Sequence, residues 1–149
     1  MRDVFDRFVG LCLIGALTNG AIAADWSQFR GPGTAGVSNE ETAPVRWSAK
    51  EHLVWKTELP GPGASCPIVQ GNKIFLTCWS GYAVDLENPG NKADLRLHVV
   101  AFDRDTGRLL WDRSQPASEA EQNLTPRVHD HGYATPTPCA DDTAVYAYF

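Results

Sequence analysis

Three consecutive residues offer metal ligands: His129, Asp130 and His131, in the stretch RVHDHGYATPTP. On an extended strand alternate side chains share a face, so His129 and His131 would point the same way and could bridge a metal ion. No third, distant ligand is identifiable, and structural zinc sites use four. The stretch therefore reads as a polar loop leading into a strand. Asp103 and Asp105, in DRDTG, form the next acidic pair. An Asp at the head of such a knot accepts hydrogen bonds from backbone N–H groups two or three residues on, so both carboxylates are assigned to a turn rather than to acid–base work. There is no glycine-rich phosphate loop, and no Ser, His and Asp at a spacing that supports nucleophilic catalysis. Asn123-Leu124-Thr125 matches a glycosylation acceptor, but Pro126 follows directly and the match reads as chance. No catalytic residue and no metal site is assigned, and the cofactor-binding residues are left open.

The bulk numbers bound what these residues can belong to. The chain has 149 residues, enough for one ordinary domain, and a net charge of −5, which argues against a nucleic-acid partner. Five Trp, ten Pro and thirteen Gly fit a turn-rich all-β protein. Residues 1–23 read as a secretory signal peptide: Arg2 and Arg7 precede the apolar run Phe8 to Leu17, and Ala21-Ile22-Ala23 supplies an A-x-A cleavage site. The run is too short to span a membrane, so the mature chain is expected to carry no transmembrane segment and to be exported, periplasmic or extracellular. Cys66, Cys78 and Cys139 remain after cleavage, an odd number. A two-residue Gly71-Asn72 turn pairs Gln70 with Lys73 and sets Cys66 opposite Thr77. Cys66 and Cys78 then face opposite ways, and all three thiols are expected to be small apolar fillers.

The elements follow from alternation and punctuation. Residues 24–46 read as an extended leader anchored by Trp26 and Phe29. Leu53 to Leu59 alternates as a strand, ended by Pro60-Gly61-Pro62-Gly63. Pro67–Gln70 and Lys73–Cys78 make a hairpin, and Trp79 to Leu97 reads as a loop insertion. His98–Asp103 and Arg108–Asp112 make a second hairpin around DRDTG, with Gly107 taking the positive φ that its turn demands. SEAEQ, within polar residues 114–128, reads as a short helix.

CPIVQGNKIFLTC and TPTPCADDTAVYAYF share a plan: Pro67 and Pro136, a turn, then Ile74-Phe75 and Val145-Tyr146. The second turn is two residues longer. This internal repeat outranks other signals. The unit is the strand at Trp55–Leu59, a hairpin, the insertion and a hairpin ending in Trp111, which has the make-up of a four-stranded propeller blade.

VVAFDRDTGRLLW matches A-x-D-x-x-T-G-x-x-x-W through Ala101, Asp103, Thr106, Gly107 and Trp111. That pattern resembles the repeat of quinoprotein-like β-propellers, also called pyrroloquinoline-quinone-like repeats. DWSQFRGPG and LVWKTELPGPGASCPIV also resemble secreted bacterial members of the group. The resemblance covers most of the mature chain. It implies an all-β incomplete propeller over residues 47–149, one blade and the start of a second, in an N-terminal fragment whose faces and edges are left open. It further implies that a repeat Trp docks between blades near the turn glycine of the adjacent unit, so that Gly107 serves its own turn and a neighbour's Trp.

Two functions follow from the resemblance. The first is a non-catalytic exported binding or scaffold module, similar to the propeller that supports outer-membrane protein assembly, meeting protein partners through its faces and loops. The second is a pyrroloquinoline-quinone-dependent alcohol or sugar dehydrogenase, with quinone and Ca²⁺ on the propeller axis and its catalytic blades outside this chain. Such enzymes often carry a disulfide between adjacent cysteines, and no adjacent pair exists here.

Overall fold

Gly71 and Asn72 form a two-residue turn, with Gly71 at φ 56° and Gln70 paired with Lys73 across it. This is the register expected from a Gly-Asn hairpin. The computed structural model describes residues 24–38, 43–123 and 131–149. The proposed signal peptide, with His129 and Asp130, lies outside the described residues. The strands are β1 (Ile68–Gln70), β2 (Lys73–Ser80), β3 (Arg96–Asp103) and β4 (Leu109–Pro116), then β5 (Cys139–Ala140) and β6 (Val145–Tyr146). The first four form one antiparallel sheet in the order β1-β2-β3-β4, and the last two pair as a separate hairpin. One short helix, α1 (Glu119–Gln122), coincides with SEAEQ and is capped by a reciprocal Ser118–Glu121 box. The regular structure of the described residues is mostly strand, with this helix, two 3-10 turns and helical backbone at His131 besides.

Three expectations about the elements change. Leu53 to Leu59 is not a strand, because no neighbouring strand offers it hydrogen bonds, and alternation without a partner does not make a ladder. The four strands of the sheet are supplied by the two hairpins instead. Trp79 to Leu97 is not all insertion. β2 runs to Ser80 and β3 starts at Arg96, while Trp79, Leu95 and Leu97 are buried with Tyr133 and Ala134. Packing against the later segment extends both strands beyond where their local composition turns polar. The second hairpin is also longer than expected, since β4 continues to Pro116.

β1 covers only the first part of β2, so the rest of that edge needs other partners. The Trp79 N–H donates to the Pro62 carbonyl at 2.9 Å, and the Thr77 N–H donates to the Ser65 hydroxyl at 3.0 Å. Backbone this close leaves no room for side chains. A Cβ on Gly61 would lie 1.9 Å from the Trp79 carbonyl oxygen, and one on Gly63 would lie 2.4 Å from that of Thr77. The Pro60-Gly61-Pro62-Gly63 run therefore continues the sheet edge rather than merely ending a strand.

Both faces of the sheet carry buried clusters. One face places Ile68, Phe75 and Ala101 under Leu110, Trp111, Ala140 and Val145, and packs Trp79, Leu95 and Leu97 against Tyr133, Ala134 and Ala117. The other holds Leu76, Cys78, Val100 and Phe102. The β5–β6 hairpin covers part of the first face through Ala140 and Val145, while the 61–65 segment and the leader close the sheet's β1–β2 edge. Trp26 pairs with Val69 on the free edge of β1, and the Ser27 carbonyl accepts from the Ala140 N–H at 2.8 Å, so the leader bridges β1 and β5. Trp26 acts as the expected anchor. Phe29 does not, being 57% exposed.

Candidate functional site

The DRDTG turn is built around one carboxylate. Asp103 Oδ1 accepts from the Thr106 N–H at 2.9 Å and from the Thr106 hydroxyl at 2.7 Å. The Gly107 N–H donates to the Asp103 carbonyl at 2.9 Å, and Gly107 sits at φ 68°. The Thr106 hydroxyl and amide hold the Asp103 carboxyl below the usual carboxylate range. The other carboxylate oxygen, Oδ2, accepts from the Asn72 side-chain amide at 3.1 Å, so Asp103 also ties its turn to the β1–β2 turn. Ala101 and Trp111 have a packing role. Ile68, Phe75, Ala101 and Trp111 are successive cross-strand partners on one face of the sheet. The alanine is fully buried, and its small side chain lets the rings of Phe75 and Trp111 lean together over it, with centroids 5.8 Å apart.

Gly107 also receives a tryptophan from another segment. A Cβ there would fall 2.5 Å from Cδ2 and Cε3 of Trp55, and Trp55 Nε1 donates to the Arg104 carbonyl at 2.8 Å. The same contact occurs twice more, Trp26 on Gly31 and Trp79 on Gly132, each glycine at positive φ. These tryptophan-on-glycine contacts lock extended segments to turns. At Gly107 and Gly132 the contact joins the sheet to a segment outside it, whereas the Trp26–Gly31 contact lies within the leader. Comparison with protein-family models, curated proteins and solved structures returned no match.

The internal repeat has a structural counterpart. β5 and β6 pair Ala140 with Val145 across a four-residue turn, against the two-residue turn of β1–β2. Asp141 organises the longer turn, accepting at Oδ1 from the Thr143 N–H and hydroxyl and from the Ala144 N–H. These donors pull its carboxyl down to about 2. The two hairpins are tied together where the repeats begin: the Ala64 and Ser65 N–H groups donate to the Ala134 carbonyl, and the Cys66 N–H donates to the Thr137 hydroxyl.

The cysteines divide. Cys78 is buried, and desolvation pushes its thiol up to about 11, so it behaves as the expected filler. Cys66, two residues before β1, and Cys139, at the start of β5, are exposed and are not fillers. All three are free thiols. His131 is exposed, and its carbonyl accepts from the Thr135 hydroxyl. Among the described residues no three His, Cys, Asp or Glu side chains gather to hold a metal ion. No described helix is long and apolar enough to cross a membrane.

The structure does bring together a serine, a histidine and an aspartate that sequence spacing does not suggest. Ser80 on β2, His98 on β3 and Asp112 on β4 form one chain: Ser80 Oγ lies 2.8 Å from His98 Nε2, and His98 Nδ1 lies 2.9 Å from Asp112 Oδ1. The signal was present only as register. Cys78 pairs with His98 and Val100 with Asp112, which sets Ser80 and Asp112 diagonally on either side of the imidazole.

Proposed function

We propose that this chain is part of an exported, quinoprotein-like β-propeller that acts as a binding or scaffold module. The observation that carries this reading is the pair of tryptophan-on-glycine seams at Gly107 and Gly132 on one four-stranded antiparallel sheet. Each seam joins the sheet to a segment outside it, as stacked repeat units require. The D-x-x-T-G turn, the paired hairpins and the meander order support the same reading. Protein partners would be met through the propeller faces and loops. The loop between β2 and β3 is the natural contact loop, with Val84 and Leu86 exposed beside the Asp85–Asn88 turn.

The test is direct. A photo-crosslinking residue placed at Asn88, in protein exported by cells, should yield discrete protein adducts, and the same residue at Arg113 on β4 should yield fewer. The dehydrogenase alternative requires bound quinone absorbance and dye reduction when the protein is given the quinone, Ca²⁺ and an alcohol. Dye reduction with bound quinone would overturn the scaffold reading.

A further inference from the structure

With a neutral imidazole, the Ser80–His98–Asp112 chain has one proton direction. A carboxylate only accepts, so Nδ1 of His98 carries the proton facing Asp112. Nε2 of the neutral ring is then an acceptor, and the Ser80 hydroxyl donates to it. His98 is 6% exposed, which holds the ring in one orientation, while Ser80 at the end of β2 stays partly open to solvent. This is a nucleophile hydrogen-bonded to a base that is oriented by a third group. Arg96 is the cross-strand partner of Ser80, so both side chains leave the same face of the sheet. The Arg96 guanidinium donates to the Ser114 hydroxyl at 3.1 and 3.3 Å, which steadies a positive charge on that face.

We propose that Ser80 is an activated nucleophile that accepts acyl groups from small esters, with Arg96 favouring esters that carry a second, acidic group. This goes beyond the scaffold reading and does not depend on it. Ser80 Oγ attacks the ester carbonyl carbon as its proton passes to His98 Nε2. The new Oγ–C bond forms, the bond to the alcohol oxygen breaks, and that oxygen takes the proton from His98. Water then attacks the acyl-serine and gives a proton to Nε2. The Oγ–C bond breaks, Ser80 recovers its proton, and the free acid leaves. Asp112 is a positioning residue, acting through the His98 tautomer.

The experiment uses the full chain, with the near-ultraviolet circular dichroism of its tryptophans recorded as the measure of fold for each variant. A fluorophosphonate probe should add one adduct, located at Ser80 by peptide mass spectrometry, and Ser80→Ala should abolish it. His98→Gln should slow labelling on the order of 10²–10⁴-fold. Asp112→Asn should slow it at least about tenfold, and Asp112→Glu should restore part of the rate, which a merely structural aspartate would not do. With 4-nitrophenyl acetate and its hemisuccinate counterpart as substrates, Arg96→Gln should raise KM for the acidic ester alone. An adduct elsewhere, an adduct surviving Ser80→Ala, or no adduct on wild-type protein whatever its dichroism would overturn the proposal.

Discussion

The ring of Trp55 rests on Gly107, with its indole N–H bound to the Arg104 carbonyl in the same turn. One glycine thereby meets two demands. It takes a left-handed backbone conformation to close the β3–β4 turn, and it leaves bare backbone for a tryptophan from a segment that forms no strand. The indole hydrogen bond fixes the ring's orientation, so the contact is directional and not merely apolar.

Gly107→Ala should therefore cost more than a turn substitution. The left-handed conformation alone costs an L-residue about 1–2 kcal/mol, and the new methyl would also displace Trp55. Urea unfolding should show a loss of at least about 2 kcal/mol. In a double-mutant cycle with Trp55→Ala the two losses should be less than additive. Full additivity would mean that the ring and the glycine are not coupled.

Ala101→Leu should be destabilising by about 1–3 kcal/mol, the usual range for overpacking. The larger side chain would fill the space over which Phe75 and Trp111 meet. Near-ultraviolet circular dichroism should change with it, since the two rings would be forced apart. An unchanged tryptophan spectrum would show that the ring contact does not rest on Ala101.

Ser65→Ala should leave the N–H of the buried Thr77 without its partner. An unmade buried hydrogen bond costs about 1–3 kcal/mol. Amide exchange at Thr77 should accelerate while exchange at Val69, which bonds to Trp26 on the free edge of β1, stays slow. Equal acceleration at both sites would point to global loosening instead.

Asp141 gives a pH dependence with a definite sign. Its carboxyl is ionised down to about 2 in the folded chain, held by Thr143 and Ala144, against an ordinary Asp near 3.9 when unfolded. The unfolded state binds the proton first, so the stabilisation is complete above about pH 4 and is lost as pH falls through about 2. Chemical-shift titration of the Asp141 carboxyl should place its midpoint well below the ordinary Asp value near 3.9. Asp141→Asn should flatten the acid limb of the stability curve.

Cys78 should be silent to iodoacetamide at neutral pH, because burial keeps its thiol protonated up to about 11. In protein lacking residues 1–23, native labelling should modify Cys66 and Cys139, and denaturant should release Cys78 as well. Rapid native labelling of Cys78 would show that the 61–65 segment does not cover it.

Much of the fold was legible where the deciding forces are local. A Gly-Asn pair closes a two-residue hairpin because glycine tolerates positive φ, so the pairing of Gln70 with Lys73 could be read directly. Asp103, Thr106 and Gly107 specify their turn through hydrogen bonds within a few residues, and Ser118 with Glu121 caps α1 in the same way. Other features depended on partners distant in the chain. Leu53 to Leu59 alternates like a strand but finds no ladder, and Trp79 and Leu97 join the core only because Tyr133 and Ala134 arrive to cover them. Cys66 and Cys139 have the composition of core residues, but no later segment packs over them and both meet solvent. The Ser80–His98–Asp112 chain belongs wholly to the tertiary structure. Its members sit on three strands, and only the combined registers of β2, β3 and β4 bring the hydroxyl, the imidazole and the carboxylate within hydrogen-bonding distance.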